Sequence, residues 1–401
     1  MRSLLSINVK NFLSLRSIDV GLQDLSVLVG PNGAGKSNLL KVIQFLGDTA
    51  RLDLGPAIQM HGGYERLAFR GDKKAPRITL GITGLFTPNS SLTAPDEYQL
   101  SFSQSSATKS SHIFSQRREE FVFKRTAGRG RRITVSGNKV EIQRKVRGES
   151  DQTKQMSLSN TSAGLSTLPR LGIDDGGAQI NTLAELLTTF RIFEVDTKLA
   201  RMPSIFDSRD AQVLKSDASN LASFLYWLSQ QHQDVFAQLV EDLHAIAPSV
   251  GNIVFVKIGG TDDDAVALKI KEHGVVGLTN MSEASFGTIR AMALLAMLHD
   301  PNPPKITCVE EIDHGLHPHA LDRIVERLRS ASERTQLLVV THSPALANRL
   351  QPKELIVCER DYETGASIIP AVDSDMVSRM AKESDLSLGE LWFSGVLGGG
   401  L

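Results

Sequence analysis

Short β-prone runs of apolar residues mark the start of the chain, at residues 4–9 and at residues 25–29. The second run ends directly on Gly30, and a glycine-rich turn follows it. Beyond the turn, apolar positions recur with helical spacing over residues 38–46. The pattern therefore predicts a strand, a tight loop and a helix in immediate succession.

The pattern changes between residues 77 and 147, where strands alternate with turns of Gly, Asn and Pro. Such an arrangement is typical of an antiparallel sheet. Residues 148–180 are rich in Ser, Thr, Gly and Asp and show weak periodicity, so we expect either a flexible connection or an exposed elaboration there. Apolar faces with helical spacing then continue up to Pro248, which predicts a helical section.

The last part of the chain combines a hairpin pattern with a parallel one. Residues 252–258 and 265–271 alternate around an acidic turn at 261–264, which predicts a hairpin. Apolar runs at 305–309 and 336–340 are separated by a helical pattern, as in a βαβ unit of a parallel sheet. No heptad pattern persists along the chain, so we expect no coiled-coil arm.

Composition indicates a globular protein without a global charge signature. The 401 residues are 41% hydrophobic, which is ample for a sizeable core. A formal net charge of −1 does not indicate nucleic acid or an anionic membrane as a partner. Any electrostatic binding surface must therefore be local.

The cysteines and the apolar stretches indicate the cellular compartment of the protein. Cys308 and Cys358 fall in apolar runs, so we expect two reduced, buried thiols and neither a disulfide nor a zinc site. The N-terminal apolar stretch is too short for a signal peptide, and no stretch approaches the roughly 18 apolar residues that span a bilayer. We expect a cytoplasmic protein that has no membrane partner.

A phosphate-binding motif occupies the loop between the second β run and the helix. It reads Gly30-Pro31-Asn32-Gly33-Ala34-Gly35-Lys36-Ser37 and is followed by Asn38. Glycines let backbone N–H groups turn onto phosphate oxygens, the lysine reaches the β and γ phosphates, and the serine hydroxyl binds Mg²⁺. With a strand before it and a helix after it, the motif predicts binding of ATP with Mg²⁺.

Two adjacent carboxylates, Glu310 and Glu311, end the apolar run at 305–309. A buried strand tolerates them only where a cation or a catalytic role compensates their charge, and a solvated strand end is the alternative. We expect Glu310 to hold Mg²⁺ and Glu311 to polarise the water that attacks the γ-phosphate. His342 follows the next strand and either contacts the γ-phosphate or is structural.

Four segments, in this order along the chain, resemble the RecF/SMC-like AAA ATPases of the ABC class. They are Asn11-Phe12-Leu13-Ser14, the motif at 30–38, Glu-Glu-Ile-Asp-His-Gly-Leu-His-Pro at 310–318 and Thr-His-Ser-Pro at 341–344. The tail at 388–399 is similar to the ending of that family's short, single-head predicted ATPases. The resemblance implies an α/β fold, an ABC-type P-loop head with a mixed or parallel core sheet, that binds and hydrolyses ATP.

The resemblance further implies a signature element that opens a helix, and residues 284–290 stand in its place. Ser285 and Gly287 are the expected contacts to a γ-phosphate presented by a second subunit, with a plain helix cap as the alternative. The element departs from the family pattern, because alanine replaces the leading leucine and phenylalanine the polar third residue. Gln59 is the candidate for the glutamine that links the sheet to Mg²⁺ in this class.

Two further groups of side chains have a functional and a structural interpretation. His314, His317 and His319 suggest a metal cluster, but the family pattern assigns these positions to subunit contact. Residues 117–147 carry eleven basic side chains, which either contact DNA or form solvated faces of exposed strands. They are Arg117, Arg118, Lys124, Arg125, Arg129, Arg131, Arg132, Lys139, Arg144, Lys145 and Arg147.

These predictions divide the chain into four segments. Residues 1–76 form the N-terminal part of the ATPase core, and 77–147 form an antiparallel β subdomain. Residues 148–248 form a flexible connection and a helical subdomain. Residues 249–401 return to the core with the signature, the two carboxylates and the histidine.

We expect a dimeric nucleotide switch, in which two heads of a homodimer or higher oligomer close around two ATP molecules. Relatives serve DNA repair, chromosome organisation and antiphage defence, and a nuclease or toxin effector would come from a separate chain because a TOPRIM domain finds no room here. The alternative is a low-turnover ATP-dependent scaffold that holds a toxin or nuclease partner inactive. An importer ATPase is disfavoured by Asn11-Phe12 and the long central elaboration.

Overall fold

The computed structural model describes residues 2–71, 77–104, 117–126, 130–145, 152–259 and 265–397. The chain divides into two compact units. The first comprises Met1–Phe190, Pro352–Asp385 and Leu391–Leu401, and the second comprises Arg191–Gln351 and Leu386–Glu390. The turn at 261–264, Arg129, Arg147 and the last glycines of the tail lie outside the described residues.

Strands and helices occur in runs along the described chain. The strands are β1 Leu4–Phe12, β2 Leu15–Gly21, β3 Leu25–Val29, β4 Ile78–Gly84, β5 Asp96–Phe102, β6 Arg118–Phe123, β7 Gly130–Ser136, β8 Lys139–Lys145, β9 Gln152–Ser157, β10 Arg191–Phe193, β11 Ser204–Ile205, β12 Val250–Ile258, β13 Ala265–Glu272, β14 Thr279–Asn280, β15 Ile306–Glu310, β16 Gln336–Thr341, β17 Leu355–Val357, β18 Glu359–Arg360 and β19 Ser367–Ile368. The helices are α1 Lys36–Leu52, α2 Leu54–Met60, α3 Tyr64–Leu67, α4 Gly164–Thr167, α5 Gly177–Thr189, α6 Thr197–Ala200, α7 Leu221–Gln231, α8 Gln233–Ile246, α9 Phe286–Leu298, α10 Pro318–Ser332, α11 Pro344–Ala347, α12 Ser374–Glu383 and α13 Leu388–Phe393.

An antiparallel sheet dominates the first unit, with its strands in the order β2-β1-β4-β5-β6-β7-β8-β9. Every neighbouring pair in that order is antiparallel, so the prediction for residues 77–147 is confirmed. Alternate residues face the core, which accounts for the period of two in the sequence. Helix α1 packs on this sheet, where the rings of Phe45 and Phe102 stack with centroids 5.6 Å apart.

Parallel strands occur in both units. In the first unit β17 pairs with β3 and places Leu355 opposite Val27. In the second unit β15 pairs with β10 on one side and β16 on the other, which places Cys308 opposite Leu338. Strand β16 is buried along its whole length and α10 connects it to β15, so the predicted βαβ unit is confirmed.

The second unit also contains the predicted hairpin. Strands β12 and β13 pair from Val250 opposite Glu272 to Ile258 opposite Ala265, and β11 and β14 add to β13. The helices α7 and α8 cover this sheet with aromatic side chains. The ring of Phe255 on β12 lies 5.5 Å from the ring of Tyr226 on α7.

A buried carboxylate joins three helices of the second unit. Asp242 of α8 is 1% exposed and lies 2.6 Å from Nε2 of His299 at the end of α9. The Nε atoms of Arg323 and Arg327 on α10 lie 3.3 and 2.7 Å from its oxygens. These cationic and polar partners compensate the cost of burying the carboxylate.

The flexible connection predicted for residues 148–180 is wrong for the part of it that the structure describes. This part forms β9 and α4 and leads into α5, and Leu165 and Ile180 are fully buried. Its apolar residues are too sparse to show a period, yet several of them pack into the first unit, whereas Ile173 is exposed. The division into four segments stays a prediction, and the first compact unit groups residues 352–385 with the N-terminal part of the chain.

A second buried carboxylate, Glu119 on β6, fixes α4 to the sheet. Its carboxylate accepts three hydrogen bonds. The donors are the backbone N–H of Gly164 at 2.6 Å, the backbone N–H of Leu165 at 3.1 Å and the Tyr98 hydroxyl at 3.0 Å. The Nε atom of Arg117 lies 3.5 Å away, and both charged side chains are fully buried. Burial raises the pKa of Glu119, while the Arg117 guanidinium and the hydrogen bonds lower it.

Helix length sets a limit on the architecture of the described chain. The longest helix among the described residues is α1, with 17 residues. No coiled-coil arm therefore occurs there, as the sequence predicts. In the same residues, no helix combines the length and the apolar character needed to cross a membrane.

We expect Glu119→Ala to lower the free energy of unfolding by about 3 to 5 kcal/mol, because it leaves a buried guanidinium and several donors without their acceptor. Glu120→Ala is the matched control. Glu120 is the next residue on β6, and its 3.0 Å ion pair with Arg132 is partly exposed, so its loss costs about 1 kcal/mol or less. Urea unfolding measures both, and similar small losses for the two variants would contradict the role of Glu119.

Candidate functional site

The phosphate-binding motif lies in the first unit, in the loop between β3 and α1. Helix α1 begins at Lys36, with Gly35 in the left-handed region at φ 97° as its N-terminal cap. Lys36 is 4% exposed, and its ammonium donates to the carbonyl oxygens of Gly30 at 2.8 Å and Pro31 at 2.9 Å. The strand, loop and helix thus follow each other as predicted, and the lysine lies across the loop.

The C-terminal strands of the first unit pack directly against this loop. A Cβ atom at Gly30 would lie 2.2 Å from the carbonyl oxygen of Cys358. A Cβ atom at Gly35 would lie 2.0 Å from Oγ of Ser367. Both glycines are therefore required by close approach of another part of the chain as well as by the turn itself.

A chain of polar side chains leads away from the motif. Nδ2 of Asn38 donates to Oγ of Ser14 at 2.8 Å, and that oxygen lies 2.6 Å from Oγ of Ser367. Asn38 follows the motif on α1, Ser14 lies between β1 and β2, and Ser367 lies on β19. The serine of the Asn-Phe-Leu-Ser segment thus contacts the P-loop helix.

Both cysteines are free and buried, as predicted. Burial raises the pKa of the Cys358 thiol to about 12, and the nearby Lys36 lowers it only in part. Burial also raises the pKa of Cys308. Both groups are therefore protonated thiols at neutral pH, which suits core packing and not nucleophilic chemistry.

The two predicted carboxylates lie in the second unit, where β15 ends. Glu310 is half-buried as the last residue of the strand, and Glu311 is exposed just beyond it. Glu311 has a left-handed backbone at φ 49°, and its N–H donates to the carbonyl oxygen of Val340 at 2.9 Å. A non-glycine residue held in this region stores about 1 to 3 kcal/mol of strain, so the surroundings must fix it.

Arg290 is the residue that fixes it, and sequence reasoning gave it no role. This arginine of α9 is 4% exposed, and its Nη2 donates to the carbonyl oxygen of Glu311 at 2.6 Å and to that of Glu310 at 3.4 Å. Burial lowers the pKa of Arg290, while Glu311, Asp313 and Glu194 raise it. The only sequence signal was a basic residue within an otherwise apolar helix.

His342 lies at the same edge of the parallel strands as the two carboxylates. The register places Glu310 opposite Val340, and His342 follows two residues later as an exposed side chain. Thr341 donates its hydroxyl to Asp313, which ties the loop after β16 to the loop after β15. The predicted proximity of His342 to this edge follows from the parallel register.

Ser285 caps α9, as the structural interpretation of the signature requires. Its Oγ accepts the N–H of Thr288 at 3.1 Å and lies 2.8 Å from the Thr288 hydroxyl. A Cβ atom at Gly287 would lie 2.7 Å from the carbonyl oxygen of Gly315, and the Phe286 ring lies 5.4 Å from that of His314. The start of α9 therefore packs on the loop that follows the carboxylates.

The remaining candidates behave differently. Gln59 is exposed on α2 of the first unit, and its role as a ligand stays a prediction. His317 caps α10 by accepting the N–H of His319, and their rings stack 5.1 Å apart. Within the described residues no group of three or more His, Cys, Asp or Glu side chains could hold a metal ion, and the role of these histidines in subunit contact stays a prediction.

The structure describes seven of the eleven basic side chains between residues 117 and 147. Five of them contact polar or acidic side chains: Arg117 with Glu119, Lys124 with Glu97, Arg125 with Asp96, Arg131 with Gln179 and Arg132 with Glu120. Four of these partners are carboxylates, which neutralise part of the charge that DNA would require, whereas Gln179 is neutral. The side chains of Arg117 and Arg125 are buried and those of Lys124 and Arg132 are about half exposed, so only the latter two fit the solvated-strand interpretation, and DNA contact stays a prediction.

Two protein families match the chain. Residues 189–348 match the family described as "AAA domain, putative AbiEii toxin, Type IV TA system". Residues 3–123 match the family described as "AAA ATPase domain". Together the two segments take in more than half of the chain and contain the P-loop, the signature, the two carboxylates and His342. No curated protein matches the chain.

Solved SMC head domains share the fold. The SMC head bound to the C-winged helix domain of ScpA has a TM-score of 0.52 and 14% identity, covering 92% of this chain and 96% of its own. An SMC head with an extended coiled coil, bound to the C-terminal domain of ScpA derived from Pyrococcus furiosus, also has a TM-score of 0.52, at 13% identity. That match covers 96% of this chain and 99% of the other. At such identities the likeness shows the fold alone.

If Glu311 activates water as the sequence predicts, Arg290→Met lowers ATP turnover by about tenfold or more, because the loss of one charged hydrogen bond is worth ~1.4 kcal/mol. ATP affinity is expected to stay within about twofold of wild type. Arg334→Met is the matched control, since Arg334 also donates to a carbonyl oxygen, that of Leu298, at 2.9 Å. Steady-state turnover and equilibrium binding measure the two effects, and unchanged turnover in Arg290→Met would refute the positioning role.

Proposed function

The chain belongs to the RecF/SMC-like AAA ATPases of the ABC class, and from that premise we propose that it hydrolyses ATP as a dimeric nucleotide switch. The observation that carries the proposal is the pair of carboxylates at the end of β15. The second of them, Glu311, is exposed and held in a left-handed backbone by Arg290 and Val340. Strain maintained at a strand end is typical of a functional position.

In this proposal the loop at Gly30–Ser37 binds the phosphates of ATP. Its backbone N–H groups and the start of α1 attract the phosphate oxygens, and Lys36 exchanges its carbonyl partners for the β and γ phosphates. Ser37 offers a hydroxyl and Glu310 a carboxylate, and hard oxygen donors of this kind suit Mg²⁺. Bound Mg²⁺ would neutralise charge that develops on the phosphates.

The chemical step falls to Glu311 and His342. The Glu311 carboxylate accepts a proton from the attacking water and orients it, while His342 contacts the γ-phosphate. Nδ1 of His314 lies 3.6 Å from Oε2 of Glu311, and both side chains are more than half exposed, so this contact leaves the carboxylate available.

Two substitutions separate binding from chemistry. We expect Glu311→Gln to lower turnover by about 10²- to 10⁴-fold while ATP still binds, because the amide cannot take the proton. We expect Lys36→Ala to weaken ATP binding by about tenfold or more, because a charged hydrogen-bond donor to phosphate is lost. Phosphate release and equilibrium titration measure the two effects.

Glu326→Gln is the matched control, since this exposed glutamate lies on α10 and pairs with Arg323. Turnover in this variant is expected to equal that of wild type. Undiminished turnover in Glu311→Gln would remove Glu311 as the catalytic base.

A dimer of heads is the second part of the proposal. The Ser285 hydroxyl and the N–H groups at the start of α9 would contact the γ-phosphate of ATP held by the opposite subunit, with Gly287 allowing close approach. Ser285 is exposed although it caps the helix. Its hydroxyl therefore keeps a face open to a ligand.

We expect Ser285→Arg to block ATP-dependent dimers of the Glu311→Gln protein, because a bulky cation would occupy the contact. Ser208→Arg, at another exposed serine of the same unit, is the control and is expected to dimerise normally. Light scattering after size-exclusion chromatography with and without ATP gives the mass. A dimer that forms equally in all variants would argue against a signature-mediated interface.

The output of the switch is proposed from the comparisons. One matched family carries a toxin and a type IV toxin–antitoxin system in its name, which supports a role in antiphage defence with a separate effector. The SMC heads are bound to a domain of ScpA, which supports a protein partner. DNA repair is the other output we consider, and DNA-stimulated turnover would favour it.

We consider a second function because the signature departs from its family pattern. A low-turnover scaffold would bind ATP and hold a toxin or nuclease partner inactive. Steady-state assays distinguish the two, since an ATP-bound complex that stays idle for hours supports the scaffold. Continuous turnover supports the switch.

A further inference from the structure

A short C-terminal hairpin of the first unit lies against the P-loop. Strands β18 and β19 pair Arg360 with Ser367. The backbone N–H of Ser367 donates to the carbonyl oxygen of Ser14 at 2.8 Å, and its side chain fills the space beside Gly35. The hairpin is therefore fixed to the loop through β19.

Arg360, on the other strand of the hairpin, reaches the P-loop with its side chain. Its Nη1 donates to the carbonyl oxygen of Gly33 at 3.0 Å, across 327 positions of sequence. The residue is exposed. A cation from the C-terminal part of the chain thus lies directly on the loop that is proposed to bind phosphate.

The charge of Arg360 is not neutralised by a carboxylate among the residues that the structure describes. Its sequence neighbour Asp361 accepts the Thr364 hydroxyl at 2.6 Å and the N–H of Glu363 at 2.9 Å instead. These hydrogen bonds, that of the Thr364 hydroxyl first, lower the pKa of Asp361, so the carboxylate is stabilised within the hairpin turn. The guanidinium keeps its full charge beside the loop.

A purely structural role for Arg360 is a poor explanation of this contact. The hairpin is already fixed by the Ser367 backbone bond and by the 2.6 Å contact between the Ser14 and Ser367 hydroxyls. The strand before it is fixed by the N–H of Cys358, which donates to the carbonyl oxygen of Val29 at 2.7 Å. A guanidinium has five N–H donors, and the Gly33 carbonyl accepts one of them.

We propose that Arg360 is a nucleotide-binding residue, which contacts the phosphate chain of ATP held at Gly30–Ser37. The proposal rests on the ATP binding proposed above and adds a second cation to Lys36. The planar donor fork of arginine matches phosphate oxygens. The carbonyl of Gly33 holds the guanidinium in place before the ligand arrives, which reduces the ordering cost of binding.

The test is equilibrium binding of ATP and of inorganic tripolyphosphate to the full chain by calorimetry. Arg360→Gln is expected to weaken both ligands by about tenfold, and Arg360→Lys by less, because the ammonium keeps the charge but not the fork. Binding to Arg360→Gln is also expected to depend less steeply on salt. Arg379→Gln, at an exposed arginine of α12 in the same unit, is the control and is expected to bind as wild type does.

Thermal unfolding without ligand separates binding from support of the fold. The expected midpoint of Arg360→Gln equals that of wild type. A lowered midpoint with unchanged affinities would make Arg360 a tether, and weaker ATP binding with normal tripolyphosphate binding would move its contact to the base or ribose. Either result overturns the proposal. Wild-type protein that binds neither ligand would instead overturn the ATP binding on which it rests.

Discussion

The close approach of the C-terminal strands to the P-loop is the constraint on which the first unit depends. Gly30 leaves room only for a hydrogen where the Cys358 carbonyl passes, and Gly35 does the same beside Ser367. The loop is thus shaped by residues more than three hundred positions away as well as by its own turn. Contacts of such sequence separation form late in folding, because loop closure must precede them.

Local pattern was sufficient wherever one face of an element is buried and the other is not. The strands between 77 and 147 and helix α10 were predicted for this reason, since alternation and helical spacing follow burial directly. The folded structure of residues 152–180 was not predicted, because a few apolar residues such as Leu165 pack singly into an existing core. The ion pairs of Arg125 with Asp96 on β5 and of Arg132 with Glu120 on β6 were not predicted, because a count of basic residues does not show carboxylate partners on neighbouring strands.

The candidate site likewise contains residues that the sequence predicts and one residue that it does not. Residue types demanded by ligand chemistry, as in Gly30–Ser37 and Glu310–Glu311, were found from the sequence, because glycine loops and adjacent carboxylates have few other uses at strand ends. Arg290 ends the signature segment at 284–290 but received no role in the sequence analysis. Its partners are backbone carbonyl oxygens, which every residue carries, so these contacts cannot be predicted from a pattern of side chains.

The cations of the antiparallel sheet and those of the P-loop have different partners. Arg117 and Arg132 contact carboxylates, which neutralise them and leave a stabilising pair. Lys36 and Arg360 donate to backbone carbonyl oxygens of the P-loop. A carbonyl dipole orients a cation without cancelling its charge, and it is a weaker partner than a phosphate oxygen. Such a cation is held in position and can still be transferred to an anionic ligand, which is the property that a phosphate-binding loop requires.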